Sequence, residues 1–109
     1  MAKYNLNETI LQGNITRDTE LKHSASGKAY CQFSIAVNEG EKVNYFEISC
    51  FDKLASSLSQ YLTRGTGVIV VGKLDNNEWK DNEGNKKQKT IVIASKIILL
   101  GGGQRDGSR

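Results

Sequence analysis

A single segment of this 109-residue chain, residues 52–62, places its apolar side chains at helical spacing, and this restricts the fold more than any other feature of the sequence. The apolar stripe consists of Leu54, Ala55, Leu58, Tyr61 and Leu62. It predicts one helix that packs on a core, with Tyr61 facing that core, Asp52 capping the start and Gly65 closing the end. Because no second helical segment recurs between strands, a doubly wound parallel sheet is excluded.

Apolar residues in the rest of the chain alternate with polar ones or form short runs, which is typical of strands. Strands are predicted at residues 8–15, 29–37, 43–51, 67–74 and 89–100. Gly13 interrupts the first strand and indicates a bulge or a tight bend. A long polar hairpin, residues 75–88 with its turn at residues 82–85, separates the last two strands. The order β-β-β-α-β-β is that of an all-β, five-stranded OB-fold barrel with one short helix between strands three and four.

The third predicted strand has two faces of different character. Its even positions, 46 to 50, are apolar and are expected to face the core, whereas its odd positions mix aromatic residues with an acid and a hydroxyl. Tyr45 and Phe51 are therefore predicted to lie opposite the core. OB barrels bind oligonucleotides and oligosaccharides on strands two and three, so base stacking is favoured here over its alternative, cross-strand packing.

Charge and motifs restrict the function further. Lysine and arginine outnumber the acids fifteen to twelve, and a net charge of +3 is only a weak indication of a nucleic-acid partner. The only histidine, His23, has no nucleophile or ligand motif beside it and is expected to be a solvated surface residue. The sequence contains no phosphate-binding loop and no zinc-ligand spacing, so we predict no catalysis, no metal site and no cofactor.

Location and domain boundaries follow from the two ends and the apolar runs. No run approaches the roughly twenty residues that span a bilayer, and the start lacks a secretory or transit signal, which predicts a cytoplasmic protein without a membrane segment. Cys31 and Cys50 are then expected to be buried, reduced thiols. Residues 1–103 form one predicted domain, and the glycine-rich and polar residues 104–109 form a predicted disordered tail.

Five local motifs, in order along the chain, carry a resemblance to a known family. They are Leu6-Asn7-Glu8-Thr9-Ile10-Leu11-Gln12-Gly13-Asn14-Ile15, Phe51-Asp52-Lys53-Leu54-Ala55, Tyr61-Leu62-Thr63-Arg64-Gly65, Val71-Gly72-Lys73-Leu74 and Trp79-Lys80-Asp81-Asn82-Glu83-Gly84. From Leu6 to about Gly103 the chain resembles the bacterial single-stranded DNA-binding proteins. Each motif is weak alone, and their order and spacing make the resemblance specific.

The resemblance implies sequence-nonspecific binding and protection of single-stranded DNA in replication, recombination and repair, by a nucleoid-associated homotetramer. Tyr45 occupies the position where the family usually has a stacking tryptophan, and Phe51 and Trp79 match its other stacking aromatics. Lysines interleaved with these aromatics would contact phosphates: Lys53, Lys73, Lys80, Lys86, Lys87 and Lys89. Weaker candidates lie on the first loops: Arg17, Lys22 and Lys28. The first and fourth strands are expected to contribute to subunit contacts.

The chain also departs from the family pattern. Acids at Asp75 and Glu78 precede the tryptophan where family members often carry basic residues, which predicts weaker binding or another strand path. Family members commonly end in an acidic tail that recruits replication and repair proteins; the last residues here carry no acidic run, so such partners stay an open question. Two alternatives remain: a primosome-type OB-fold accessory protein that acts mainly through protein partners, and a carbohydrate-binding or toxin-like OB domain, which would normally carry an export signal and disulfides.

Overall fold

The computed structural model describes residues 3–102. Six strands and one α-helix follow in chain order: β1 Thr9–Ile15, β2 Lys22–His23, β3 Ala29–Glu39, β4 Lys42–Phe51, α1 Asp52–Leu58, a 3-10 turn Ser59–Tyr61, β5 Thr66–Lys80 and β6 Lys86–Gly102. The predicted all-β class and the order of the long elements are confirmed. The two-residue β2 is an addition, since so short a strand has no periodicity of its own.

The five long strands close into a ring. Neighbours follow the order β1-β5-β6-β4-β3, and β1 pairs a second time with β3 at Asn14–Ala36 and Ile15–Ile35, which closes the circuit. All pairings are antiparallel except β4 with β6. Closure pairs the edges of the sheet and encloses a core between the strands.

The core consists of the inward side chains of the strands and the inner side of the helical segment. Its members include Ile15, Cys31, Phe33, Ile35, Ile48, Cys50, Ala55, Leu62, Val68, Val70 and Val92. Ala55 and Leu62 have no exposed area, and Leu54 and Leu58 pack against the same cluster, so the helical segment contributes to the core as the stripe predicts.

The polar hairpin predicted at residues 75–88 is present, and its arms are continuous strands that lengthen the predicted strands 67–74 and 89–100. β5 and β6 pair from Thr66 opposite Gly102 to Lys80 opposite Lys86. The connecting turn is stabilised by Asp81, whose Oδ1 accepts hydrogen bonds from the backbone N–H groups of Glu83 and Asn85. Both sides of this ribbon are exposed, so no alternation of apolar residues marks its arms as strands.

The end regions of the helical segment also differ from expectation. The α-helix stops at Leu58 and a 3-10 turn follows, so Tyr61 leaves the buried stripe and is 53% exposed. Asp52 does not cap the helix: Phe51 occupies the N-cap position, there is no side-chain cap bond, and Asp52 itself has a φ of 57°. The extended chain of β4 therefore turns into the helix within one residue, immediately after Phe51.

Gly13 lies at no bulge, because the pairing of β1 with β5 runs without a register shift from Thr9 to Asn14. A Cβ at position 13 would stand 2.5 Å from the Ala36 carbonyl oxygen. The glycine instead permits the close approach of β3 at the point where the ring closes.

Two further expectations concern the ends of the domain and the membrane. The predicted boundary at residue 103 and the tail at residues 104–109 lie outside the described residues. Within residues 3–102, no helix is long and apolar enough to cross a bilayer.

Candidate nucleic-acid interface

One side of the sheet formed by β3 and β4 points away from the core. Residues directly opposite each other in an antiparallel pair project to the same side. The pairs on this side are Tyr45 with Ala36, Glu47 with Ser34, Ser49 with Gln32, and Phe51 with Tyr30. We call this side, with its continuation onto β6 and β5, the outer face.

β6 extends the outer face beyond β4, since these two strands pair in parallel. Alternation along β6 places Lys87 and Lys89 on the same side, and an ion pair between Lys89 Nζ and Glu47 Oε1 joins β6 to β4. Trp79 lies directly opposite Lys87 across the hairpin. The register therefore places Tyr45, Phe51 and Trp79 on one continuous face.

The three aromatic side chains are open to solvent. Tyr45 is 68% exposed, Phe51 44% and Trp79 46%. The ring of Phe51 lies against Tyr30, with centroids 6.5 Å apart and planes inclined by 33°. Exposed rings on a sheet offer flat apolar surfaces on which nucleobases stack.

The predicted lysines divide into two groups. Lys87 and Lys89 lie on the outer face near Trp79 and Tyr45, and Lys73, opposite Ile93, shares that face by alternation. Lys80 and Lys86 lie opposite each other on the other side of the ribbon and are not brought to the aromatic rings. Lys53 lies in the first turn of α1, two residues after Phe51, and is exposed.

Two clefts lie on the outer face on either side of Ser34 and Glu47. One, of about 320 Å³, is lined by Arg17, Lys22, Gln32, Ser34 and Glu47 among others. The second, of about 290 Å³, is lined by Ser34, Tyr45, Phe46, Glu47, Lys89 and Thr90. Arg17 and Lys22, weaker candidates from the sequence, are thus brought to the same face as the aromatics. Lys28 follows the turn before β3 and lines neither cleft.

Sequence reasoning did not single out Glu47, although alternation already placed it between Tyr45 and Phe51. Its contact with Lys89 depends on the parallel pairing of β4 and β6, which no local pattern encodes. Among residues 3–102, no group of three or more His, Cys, Asp and Glu side chains is arranged to hold a metal ion.

A closed five-stranded ring with a helix between the third and fourth long strands defines an OB-fold. The model of the single-strand binding protein family matches residues 6–100. The chain belongs to this family.

Relatives named single-stranded DNA-binding protein match most of the chain. The proteins from Treponema pallidum and Borreliella burgdorferi are each 36% identical to it, over 88% and 90% of this chain and 58% and 72% of their own lengths. The Deinococcus radiodurans protein is also 36% identical, over 90% of this chain and 35% of its own length. The chain thus spans little more than half of one of these relatives and about a third of another.

A solved structure has the same fold. The chain is similar to a Plasmodium falciparum protein described as an SSB complex with single-stranded DNA, with a TM-score of 0.82 and 28% sequence identity. The match covers 93% of this chain and all of the other.

Proposed function

We propose that this protein binds and protects single-stranded DNA without base-sequence preference, in replication, recombination and repair, and that it does so without catalysis. The observation that carries this proposal is the presence of three exposed aromatic rings on one continuous sheet face. Stacking tolerates any sequence because every base has a π-face. The names of the relatives and the DNA complex of the structural neighbour support the same conclusion.

The lysines supply the second half of the interaction. Lys87, Lys89 and Lys73 lie on the outer face and are positioned to meet phosphates beside stacked bases. Lys80 and Lys86 lie on the other side of the ribbon, where the strand would reach them only by passing around the hairpin. Lys53 extends the basic surface beyond Phe51. Since each neutralised phosphate releases counterions, binding should weaken with salt.

A second copy of the chain is the partner that best fits another surface. On the side of β1, β5 and the C-terminal part of β6 that points away from the core, Ile10 lies opposite Val71, and Ile69 lies opposite Ile98. Ile10 is 65% exposed and Ile98 41%. An apolar patch across three neighbouring strands favours self-association, and we propose a homotetramer, located in the cytoplasm with the nucleoid.

Replacement of each aromatic by alanine tests the binding site. We expect Tyr45→Ala, Phe51→Ala and Trp79→Ala each to weaken oligo(dT) binding by about 1 to 3 kcal/mol, because each removes one stacking surface. Oligo(dT) should quench Trp79 fluorescence in the wild type, and added salt should reverse the quench. Titration of Trp79 fluorescence measures the quench and the affinities of the Tyr45 and Phe51 variants. The Trp79→Ala and triple alanine variants lack the only tryptophan, so their affinities are measured by the fluorescence anisotropy of dye-labelled oligo(dT).

Tyr61→Ala is the matched control, because Tyr61 is a comparably exposed aromatic in the 3-10 turn rather than on the outer face. It should leave the affinity unchanged. If the triple alanine variant of the outer face bound oligo(dT) as tightly as the wild type, the stacking proposal would be refuted.

A further inference from the structure

Two ion pairs occur among residues 3–102, and both involve lysines of the outer face. Lys89 Nζ pairs with Glu47 Oε1, and Lys87 Nζ lies 3.9 Å from Asp81 Oδ2. Lys89 lines a cleft with Tyr45, and Lys87 lies directly opposite Trp79. The charges best placed to meet phosphate are therefore already engaged by carboxylates of the same chain.

The two carboxylates differ in their other hydrogen bonds. Asp81 accepts two backbone hydrogen bonds in the hairpin turn through Oδ1, so its orientation is set by the turn. Glu47 projects from the middle of β4, and no other side-chain hydrogen bond or ion pair of Glu47 is found within residues 3–102. Its interaction with Lys89 is the one that a ligand could exchange without disturbing the fold.

Glu47 also lies where a bound strand would pass. It lines both clefts of the outer face, between Tyr45 on one side and Arg17 and Lys22 on the other. Its side chain is 36% exposed and that of Lys89 is 51% exposed. A phosphate that approached Lys89 here would meet a carboxylate already bound to the same ammonium group.

We infer that Glu47 is an affinity-determining residue that competes with DNA phosphate for Lys89. This inference rests on the proposed binding of single-stranded DNA. In the free protein Glu47 neutralises Lys89; in the complex the carboxylate and a phosphate compete for the same ammonium group, so a phosphate contacts Lys89 in only part of the complexes. The competition lowers affinity and reduces the number of phosphate contacts seen as salt dependence.

A double-mutant cycle on Glu47→Gln and Lys89→Gln tests this competition, with oligo(dT) as the probe and Trp79 fluorescence as the readout. Glutamine keeps the shape of the glutamate side chain and removes its charge. We expect E47Q to bind about two- to fivefold more tightly at low salt. Its log affinity should fall more steeply with log salt, by at most about 0.7 in slope, because the Lys89–phosphate contact is then made in every complex. K89Q should cost more affinity in the E47Q protein than in the wild type.

Glu78→Gln is the charge-matched control, because Glu78 lies opposite Gln88 on the other side of the ribbon from Trp79. It changes net charge equally and should change affinity by less than E47Q does. If K89Q lowered oligo(dT) affinity equally in the wild-type and E47Q proteins, the competition would be refuted. Glu47 would then affect affinity only by long-range repulsion of phosphate and not through Lys89. Failure of the wild type to bind oligo(dT) would overturn the proposed function as well, so the two failures are distinguishable.

Discussion

Cys31 and Cys50 show how closely single residues are packed beneath the outer face. They lie directly opposite each other on β3 and β4, with sulfur atoms 3.0 Å apart and no exposed area. The sequence prediction of buried free thiols is confirmed. The hydrogen bond with Cys31 and burial in the core raise the pKa of the Cys50 thiol above its ordinary value.

Both thiols should therefore be unreactive in the native protein. The thiolate is the reactive form, and it is disfavoured at Cys50. The hydrogen bond with Cys50 lowers the pKa of Cys31, but neither sulfur has exposed area that a reagent could reach. We expect negligible labelling by Ellman's reagent at neutral pH in the folded state and release of two thiol equivalents per chain after unfolding in guanidinium chloride. Fast labelling of either cysteine in the native protein would contradict this account.

Among the secondary-structure elements, the strands with one buried side are those whose bounds the sequence predicts most accurately. β3 and β4 were predicted to within two residues, because one side of each strand faces the core and the alternation is readable. The sequence predicts the polar hairpin at residues 75–88 but ends one strand at residue 74 and starts the next at residue 89, because arms exposed on both sides have no apolar pattern. The sequence predicts one helix over residues 52–62, but the α-helix ends at Leu58 and the following 3-10 geometry depends on packing, so the predicted burial of Tyr61 is wrong.

The residues of the outer face likewise fall into those that local alternation predicts and those that depend on strand register. Alternation placed Tyr45 and Phe51 on the outer side of β4, whereas the separation of Lys87 and Lys89 from Lys80 and Lys86 depends on the register of the long hairpin. That register shifts twice, between Gly67 and Val68 and between Val71 and Gly72. The second shift is a bulge in which Ser95 is the extra residue on β6, and its hydroxyl donates to the Val71 carbonyl oxygen. From Gly72 opposite Ala94 to Lys80 opposite Lys86 the register has no shift, and together with the pairing of β6 to β4 it determines which lysines face the aromatic rings.

Gly72→Ala should destabilise this bulge. A Cβ at position 72 would overlap the Ile93 carbonyl group, whose carbon would be 2.8 Å away, and backbone cannot move aside as a flexible side chain can. We expect a loss of about 1 to 3 kcal/mol in the free energy of unfolding, measured by urea denaturation. Gly67→Ala on the same strand is the control, because its added Cβ meets neighbours at 3.4 Å or more. A Gly72→Ala protein as stable as the wild type would show that the strands do not approach this closely.

For the whole molecule, closure of the ring leaves distinct outer surfaces around one core. The aromatic and lysine-bearing outer face spans β3, β4 and the hairpin, while the apolar patch of Ile10, Ile69, Val71 and Ile98 lies on β1 and the proximal half of the same hairpin. A second copy docked on the patch would leave the aromatic rings free. DNA binding and self-association can therefore be tested separately.

Ile98→Glu should weaken self-association while preserving the fold. Ile98 is 41% exposed, so the glutamate can remain solvated in the monomer, but at a subunit contact it would bury an unpaired charge. Light scattering coupled to gel filtration should give about four times the 12.0 kDa chain mass for the wild type and a smaller mass for the variant.

Leu21→Glu is the matched control, since Leu21 is 39% exposed and lies before β2, away from the patch. A monomeric wild type at micromolar concentration would refute the tetramer. If Leu21→Glu lowered the mass as much as Ile98→Glu, the patch would not be the contact, because added charge alone would then account for the effect.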